Sequence, residues 1–180
     1  MLKAKTFTSI FTSINLLVAS ILLFTVVLAY SFPHRVAQDI SQTVQATMTK
    51  EMDCLAKNIY YEAASESYEG KLAVAQVTLN RTNSGRYPNS ICGVVYQKDK
   101  VNGKTVCQFS WVCEKVSAPR SRYLWEEAQY IARKALTEPI AHAKLAEKQV
   151  MYFHATYVHP PWKKNGFVIQ IGNHIFYAKT

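Results

Sequence analysis

Residues 54–81 read CLAKNIYYEAASESYEGKLAVAQVTLNR, and this stretch decides the fold. Apolar residues recur there at i, i+4 and i+8 as Leu55, Ile59 and Ala63, which predicts a helix from about Glu51 to Ala64. A second helix is expected from about Tyr68 to Asn80, because its stretch LAVAQVTL is apolar nearly all round. Helices of that kind are buried, so the sequence predicts a globular domain built around the second helix.

The region after this pair predicts a loop and then a short β lobe. TNSGRYPNS, residues 82–90, combines Gly and Pro with Asn and Ser and is typical of a loop. The runs CGVVYQ and VCQFSWVC have β-like composition and are separated by the polar KDKVNGK, so we expect a hairpin or an extended lobe over residues 91–112.

The last third of the chain predicts one more helix and two extended segments. The helix is expected from about Ser121 to Leu136, ending before Pro139. Its apolar face would carry Leu124, Ala128, Ile131 and Leu136. The extended segments are QVMYFHA and FVIQIGNHIFY, broken by Pro160, Pro161 and Gly172. The pattern as a whole indicates an α+β class.

The N-terminal fifty residues predict export from the cytoplasm. Residues 10–30 carry no charge and would form a helix of roughly 31 Å, enough to cross a bilayer, behind Lys3 and Lys5 in a basic segment 1–9. The lysines favour a cytoplasmic N-terminus and an extracytoplasmic remainder. A retained membrane anchor and a cleaved signal peptide both fit. Residues 31–50 are polar and are expected to be a stalk or linker before a domain at 51–180.

Four cysteines, all downstream of the apolar run, fit an oxidising compartment. They are Cys54, Cys92, Cys107 and Cys113. Two disulfides are expected, with three pairings open, and every pairing ties Cys54 to the segment 92–113. A zinc site is the weaker alternative, because paired C-x-x-C motifs are missing from the sequence.

A net charge of +9 favours an anionic partner, whether nucleic acid, lipid headgroups or the acidic polymers of a bacterial envelope. Export argues against nucleic acid. The sequence contains no motif of a metalloprotease, an esterase or a nucleotide-binding protein. We therefore expect no cofactor and no metal, and a monomer.

Three acids, Glu62, Glu66 and Glu69, fall within eight residues of a chain that holds only twelve. On a helix, Glu62 and Glu66 would share a face. Repulsion between them, together with burial, would raise the pKa of one carboxyl and suit it to donate a proton to a glycosidic oxygen. The alternative interpretation is an acidic helix end on a solvated surface.

Several separated segments together resemble the SleB-type cell-wall hydrolases, a family typified by a spore-cortex-lytic enzyme. These segments are residues 54–81, YPNSICGVVYQ, CQFSWVC and IGNHIFY, in that order, and the resemblance covers about residues 52–178. It implies a small lysozyme-like α+β domain, with Glu62, the first Glu of E-A-x-x-E, as catalytic acid/base. The familiar motif has Gly before its second Glu, where this chain has Ser65.

The resemblance further implies lytic-transglycosylase-like cleavage of the bond between N-acetylmuramic acid and N-acetylglucosamine in peptidoglycan. One carboxyl is enough for that reaction, since Glu62 can donate a proton to the leaving oxygen and then accept one from the C6 hydroxyl of muramic acid. Glu66 is interpreted as structural or as a group that tunes a pKa at the substrate site. A hydrolytic muramidase or glucosaminidase and a non-catalytic envelope-binding module are the alternatives.

Aromatic residues with a few polar groups are expected to line a saccharide groove. The candidates are Gln108, Phe109 and Trp111 in the β lobe, and Tyr152, His154, His174 and Tyr177 near the C-terminus. For each of them a plain structural role is the alternative. His174, for instance, could serve only to hold the terminal hairpin.

Overall fold

The computed structural model describes residues 3–114, 116–138, 143–160 and 166–178. The chain divides into two compact units, Met1–Thr47 and Met48–Thr180. Pro139 and Pro161, two of the expected breaks, lie outside the described residues.

The first unit consists of helix. Helix α1 runs from Lys3 to Ala63, and it includes both the apolar stretch 10–30 and the polar stretch 31–50 that was expected to be a stalk. Between Asn15 and Lys50 nearly every described side chain is exposed. By length and composition, this helix contains a segment apolar enough to cross a membrane, a test that a signal sequence also passes.

The second unit combines helices with two small antiparallel sheets, which confirms the α+β class. Its helices after α1 are α2 (Tyr68–Asn83), α3 (Ile91–Val95), a 3-10 turn (Ser110–Val112), α4 (Arg122–Thr137) and α5 (Ala143–Glu147). Its strands are β1 (Lys98–Val101), β2 (Lys104–Cys107), β3 (Val150–Ala155), β4 (Phe167–Ile171) and β5 (His174–Ala178). One sheet is β1-β2, and the other has the order β3-β5-β4.

Helix α2 is the central element, as its apolar pattern predicts. One side of it, with Leu72 and Ala75, packs in a cluster with Leu55 and Ile59 of α1 and with Ile131 of α4. The other side supplies Ala73, Val74 and Val77 to a second cluster, which holds Val150 and Phe176 of the three-stranded sheet. Because both sides of α2 are covered, its all-round apolar sequence has a physical reason.

Polar side chains of α2 attach it to the sheet. The Asn80 amide donates hydrogen bonds to the carbonyls of Leu145 (3.0 Å) and Val150 (2.9 Å). The Arg81 Nε donates to the Met151 carbonyl at 2.8 Å. These bonds connect α2 to the α5 backbone and to the first two residues of β3, and they give buried carbonyl groups hydrogen-bond donors.

The expectation for CGVVYQ is wrong, because most of this run is the short helix α3. Its N-terminal amides are capped from two sides. The Ser90 hydroxyl accepts from Gly93 N (3.0 Å), and Glu51 Oε2 accepts from Ile91 N (2.5 Å) and Cys92 N (3.1 Å). Side chains at i, i+3 and i+4 in this run (Ile91, Val94 and Val95) are buried, which is the helical spacing.

The hairpin lies in the segment that was expected to separate two strands. KDKVNGK forms β1, the turn and the start of β2, with Val101 paired to Lys104 across a two-residue turn. Asn102 (φ 50°) and Gly103 (φ 75°) both adopt the left-handed conformation that a tight hairpin turn requires. The Asn-Gly pair is the signal that identifies this turn.

Other expectations hold. The four cysteines form two disulfides, Cys54–Cys92 and Cys107–Cys113, so Cys54 is tied to the predicted segment. The C-terminal extended segments are β3, β4 and β5. On α4, Ala128 and Ile131 are buried as expected, but Leu136 is 40% exposed and does not belong to that face.

One polar contact joins the α1–α2 connection to the β4–β5 turn. Glu66, 8% exposed, accepts hydrogen bonds from Asn173 N at Oε2 (3.0 Å) and from Asn173 Nδ2 at Oε1 (3.1 Å). Gly172 (φ 54°) makes this approach possible, because a Cβ there would lie 2.1 Å from Glu66 Oε2. We call this contact the Glu66–Asn173 latch.

We predict that Gly172→Ala destabilises the domain by about 3 kcal/mol or more. The left-handed conformation costs an alanine about 1–2 kcal/mol, and displacing Glu66 breaks hydrogen bonds to a charged group that are worth about 1.5–3 kcal/mol. Denaturant unfolding measures the loss. The matched control is Gly103→Ala, where the glycine also has a positive φ but nothing lies within 4 Å of the new Cβ. This variant should lose only the conformational cost of about 1–2 kcal/mol. Equal losses in the two variants would contradict the latch.

Candidate active site

A cavity of about 620 Å³ opens in the second unit between the end of α1, α2, the disulfide-closed loop and the three-stranded sheet. Its lining comes from five stretches of chain. The lining residues are Tyr61, Glu62, Arg81, Gln108, Phe109, Ser110, Trp111, Glu114, Val116, Phe153, His154, Ala155, Tyr157, Val158 and His174.

Glu62 lies in the last turn of α1 and is partly buried in this cavity. Burial raises its pKa from 4.5 to about 7, the nearby charge of Arg81 lowers it, and Glu114 raises it further. The carboxyl is therefore substantially protonated at neutral pH. A carboxylic acid in that state can act as a proton donor.

The expected cause of this shift needs correction. Glu62 and Glu66 do not share a helix face, because α1 ends at Ala63 and the chain then turns, with Glu66 N donating to the Ala63 carbonyl at 3.0 Å. The carboxylate that acts on Glu62 is Glu114, which lies directly after Cys113. Glu66 points to the latch and does not line the cavity.

Arg81 places a buried positive charge beside the cavity. Its guanidinium carbon lies 5.2 Å from the centre of the Phe109 ring and 5.3 Å from that of Tyr87. Burial lowers its pKa, although Tyr87, Tyr152 and Glu62 oppose this. Its Nη1 is buried and has no hydrogen-bond partner among the described residues. Arg81 was not predicted as a site residue, although a cation near the end of an otherwise apolar helix is a usable signal.

The aromatic wall of the cavity is held from behind by a chain of hydrogen bonds. Trp111 Nε1 donates to Asn58 Oδ1 (3.1 Å), and Asn58 Nδ2 donates to Thr78 Oγ1 (3.1 Å). The Tyr61 ring stacks on Trp111 at 4.6 Å between centroids. Because Asn58 and Thr78 are fully buried, this chain fixes the indole with little freedom to turn.

The disulfide Cys107–Cys113 closes a short loop that carries four lining residues, Gln108 to Trp111. The Gln108 amide also donates to the Gln97 carbonyl at 3.0 Å, which anchors the base of the hairpin. This loop therefore presents its side chains from a rigid support.

Five of the groove residues expected from sequence line the cavity: Gln108, Phe109, Trp111, His154 and His174. Tyr152 and Tyr177 do not. The Tyr177 hydroxyl forms a hydrogen bond with Nε2 of the lining residue His154 at 3.0 Å. Tyr152 forms a hydrogen bond with Tyr87, whose ring lies beside the lining residue Arg81. Lining residues missed from sequence include Tyr61, Glu114, Phe153 and Tyr157.

Metal binding has no evident support in the described part of the chain, where no group of three or more His, Cys, Asp or Glu side chains is placed to hold an ion. The cavity lining supplies two carboxyl groups, a guanidinium and two imidazoles. These groups suit proton transfer to and from a polar ligand.

We predict that Glu114→Gln lowers the pKa of Glu62, because it removes a negative charge that disfavours ionisation. The pKa should stay well above 4.5, since burial is the larger cause. Carboxyl-carbon NMR titration of Glu62 measures the change. Glu126→Gln, an exposed acid on α4 that pairs with Arg122, is the control and should leave the titration unchanged. An increase in the pKa of Glu62 in Glu114→Gln would show that the two groups do not interact as described.

Comparison with solved structures shows the fold. The catalytic domain of the Bacillus cereus SleB protein superimposes with a TM-score of 0.53 and 22% identity, over 72% of this chain and 90% of that one. The catalytic domain of the germination-specific lytic transglycosylase SleB from Bacillus anthracis gives a TM-score of 0.53 and 22% identity, over 71% and 93%.

Among curated proteins, the spore cortex-lytic enzyme of Bacillus subtilis (strain 168) is 32% identical over 123 residues, covering 68% of this chain and 35% of that protein. The corresponding enzyme of Oceanobacillus iheyensis is 28% identical over 133 residues, covering 73% and 43%. The chain therefore spans less than half the length of these relatives.

The family profile for cell wall hydrolases matches residues 65–177, which is more than half of the chain. The match takes in most of the cavity lining and begins just after Glu62. It agrees with the SleB-like fold and with the order of motifs along the sequence. The chain belongs to the cell wall hydrolase family.

Proposed function

We propose that this protein cleaves the glycan strands of peptidoglycan at the bond between N-acetylmuramic acid and N-acetylglucosamine, by a lytic-transglycosylase-type reaction with Glu62 as its single catalytic carboxyl. The observation that carries the proposal is a carboxyl with a pKa of about 7 inside the 620 Å³ cavity of a cell wall hydrolase fold. A group poised in this way can both give and take a proton at neutral pH.

In the first half of the reaction, Glu62 donates its proton to the glycosidic oxygen as the C1–O4 bond breaks. The carboxylate that remains is a charge in a partly buried site, which costs free energy. Arg81 reduces this cost, because its positive charge is close enough to lower the pKa of Glu62. The guanidinium thus stabilises the ionised carboxylate that Glu62 becomes after it has donated its proton.

In the second half, the C6 hydroxyl of the muramyl residue attacks C1 and gives a 1,6-anhydro ring, and its proton returns to Glu62. This internal nucleophile is already held next to C1, so it has a high effective concentration and needs no activated water. A second carboxylate is therefore not required. Metal and cofactor have no step in this scheme.

The walls of the cavity suit a saccharide. Tyr61, Phe109 and Trp111 contribute aromatic rings to the lining, and Tyr157, which also lines the cavity, is 81% exposed. Gln108, His154 and His174 supply polar groups among them. Three further residues would contribute indirectly. Tyr152 would hold Tyr87 and Tyr177 would hold His154, while Glu66 would hold the β4–β5 turn. Aromatic faces with few polar groups are typical of sugar sites.

A hydrolytic muramidase or glucosaminidase is the second candidate, and Glu114 is the observation that favours it. Hydrolysis generally uses two carboxylates. Glu114 lines the same cavity as Glu62 and acts on its pKa, whereas Glu66 is engaged in the latch and Glu69 is exposed. Glu114 would then activate the water. A binding module without activity is the third candidate, and it would release nothing from sacculi.

Action outside the cytoplasm fits both the family and the two disulfides. We further propose that residues 1–9 stay in the cytoplasm and that residues 10–30 hold the protein in the membrane or direct its export. Residues 31–50 would connect this segment to the domain at 51–180. The domain would work on peptidoglycan as a monomer.

Replacing Glu62 with Gln should abolish cleavage and leave the fold intact. The change keeps the volume and removes the titrating proton, and loss of general acid catalysis costs about 10²–10⁴-fold. We expect the upper end, since the same group acts twice. Purified peptidoglycan is digested, and the fragments are measured by mass spectrometry. Wild-type fragments should end in 1,6-anhydromuramic acid, lighter by one water than reducing ends, and cleavage should decline as pH rises through about 7.

The same variant has a stability control with a defined sign. Because the folded-state pKa of Glu62 is raised above its ordinary value, wild-type stability falls as pH rises from about 4.5 to 7. Glu62→Gln lacks this loss, so its melting temperature relative to wild type should be higher at pH 8 than at pH 4.

The activity of Glu62→Gln decides the role of this residue. If the variant keeps more than about a tenth of the wild-type turnover, a much smaller loss than removal of a general acid causes, Glu62 is not the acid. Reducing ends would favour hydrolysis, and Glu114→Gln would then be inactive.

Export is tested with a reporter fused after Lys50. A reporter that needs the oxidising, extracytoplasmic space should be active there, because the uncharged run 10–30 follows two lysines. A reporter that works only in the cytoplasm should be inactive at the same position. The opposite result would overturn the proposed topology.

A further inference from the structure

His174 is a cavity residue to which the proposed reaction gives no step. It is the first residue of β5 and is 7% exposed, and its ring meets Phe153 edge-to-face at 5.2 Å. Its Nδ1 is buried and makes no hydrogen bond to any described residue. Since Nδ1 is buried while the ring lines the cavity, we infer that Nε2 is the nitrogen that a ligand can reach.

A fixed carboxylate lies behind this ring. Glu66 Oε1 is 4.0 Å from His174 Nδ1, and the latch to Asn173 holds Glu66 in place. Each carboxylate oxygen can accept more than one hydrogen bond, so Oε1 is able to take Nδ1–H as well as Asn173 Nδ2–H. Hydrogen bonds of catalytic groups are often long before substrate binds, so a separation of 4.0 Å is compatible with a hydrogen bond that forms in the complex.

This arrangement selects one tautomer. A neutral imidazole carries a single N–H. If Nδ1 carried the lone pair, that lone pair would face the negative charge of Glu66, which is unfavourable. The proton therefore belongs at Nδ1. Nε2 then presents a lone pair to the cavity, and His174 can accept a proton there. Carboxylates commonly orient catalytic imidazoles in this way.

The charges around the ring keep it neutral near pH 7. Burial lowers the pKa of His174, Glu66 opposes this, and His154 on the neighbouring strand lowers it further. The other charged or titratable groups that line the cavity are Glu62, Arg81, Glu114, Tyr61 and Tyr157. At neutral pH the cavity therefore holds a protonated carboxyl and an unprotonated imidazole, which is a matched acid and base.

We propose that His174 is a second catalytic residue, the base that takes the proton of the C6 hydroxyl through Nε2, and that Glu66 is the positioning residue that fixes its tautomer. The inference rests on the proposed function and deepens its second half. The C1–O4 bond breaks as the Glu62 proton goes to O4, and O6 bonds to C1 as its proton goes to Nε2. The imidazolium then passes this proton to the Glu62 carboxylate, which restores both groups.

Two substitutions separate a base from a mere hydrogen-bonding group. His174→Gln keeps a polar group near Nε2 that cannot take a proton, and His174→Phe keeps only the ring. Both should lower kcat by about 10²-fold or more with a small change in KM, since the lost group acts in the chemical step. Rescue by Gln would show that His174 only binds. His159→Gln, an exposed histidine outside the cavity lining, is the matched control and should be unchanged.

The pH profile gives a readout that loss of stability would not produce. In wild type, kcat should fall at low pH as His174 becomes protonated, below the ordinary imidazole pKa of 6.5, and at high pH as Glu62 ionises near pH 7. The His174 variants should lose the acidic limb and keep the basic one. An acidic limb that persists in His174→Gln would overturn the proposal.

The tautomer of His174 can be measured without an activity assay. Nitrogen-15 NMR of His174 in the inactive Glu62→Gln protein should show the Nδ1–H form, and an Nε2–H form would overturn the role of Glu66. Failure of the proposed function looks different. If wild type yields only reducing ends, or if Glu62→Gln is active, the reaction itself is wrong. If wild type yields anhydro ends and Glu62→Gln is inactive while His174→Gln keeps more than a third of kcat, His174 alone is wrongly assigned.

Discussion

The Glu66–Asn173 latch is the contact on which the geometry of the cavity depends. It joins two turns 107 residues apart in sequence, one that follows Glu62 and one that precedes His174. A buried carboxylate is stable only when its oxygens have donors, and a single asparagine supplies both of them here. The end of α1 that carries Glu62 and the start of β5 that carries His174 are therefore held together at one cavity. The second Glu of the E-A-x-x-E motif acts as a structural support for the first.

The opposite wall of the cavity is supported by different means. The buried chain from Trp111 through Asn58 to Thr78 orients the indole, and the disulfide Cys107–Cys113 restrains the loop around it. Arg81, fixed by the Met151 carbonyl and lying between two rings, places a charge next to this wall. The side chains of this wall are thus fixed by contacts buried in the core. Such contacts are needed to hold a functional site within a fraction of an ångström of its working geometry.

Sequence patterns predicted the parts of this structure that depend on local periodicity. The all-round apolar pattern of α2, the spacing of Leu55, Ile59 and Ala63, and the β segments at the C-terminus are all found. The α3 helix was missed because it has only five residues, and part of its N-terminal capping comes from Glu51, forty residues away. In the site, Glu62 was singled out by its motif, but the groups that tune it were not. Glu114 and Arg81 come next to it only through the fold, and the separation of Glu66 from Glu62 depends on where α1 ends.

The β1–β2 hairpin illustrates what an element outside the core allows. All its residues except Cys107 are exposed, and its base is closed off by the Cys107–Cys113 bond and by Gln97. Extra chain inserted between Asn102 and Gly103 would displace no buried side chain and would be isolated from the cavity by the disulfide. Exposed turn tips of this kind are where proteins accept insertions. The hairpin tip is thus a natural attachment point for a peptide tag or a fluorescent label that would report where the protein is located in the cell.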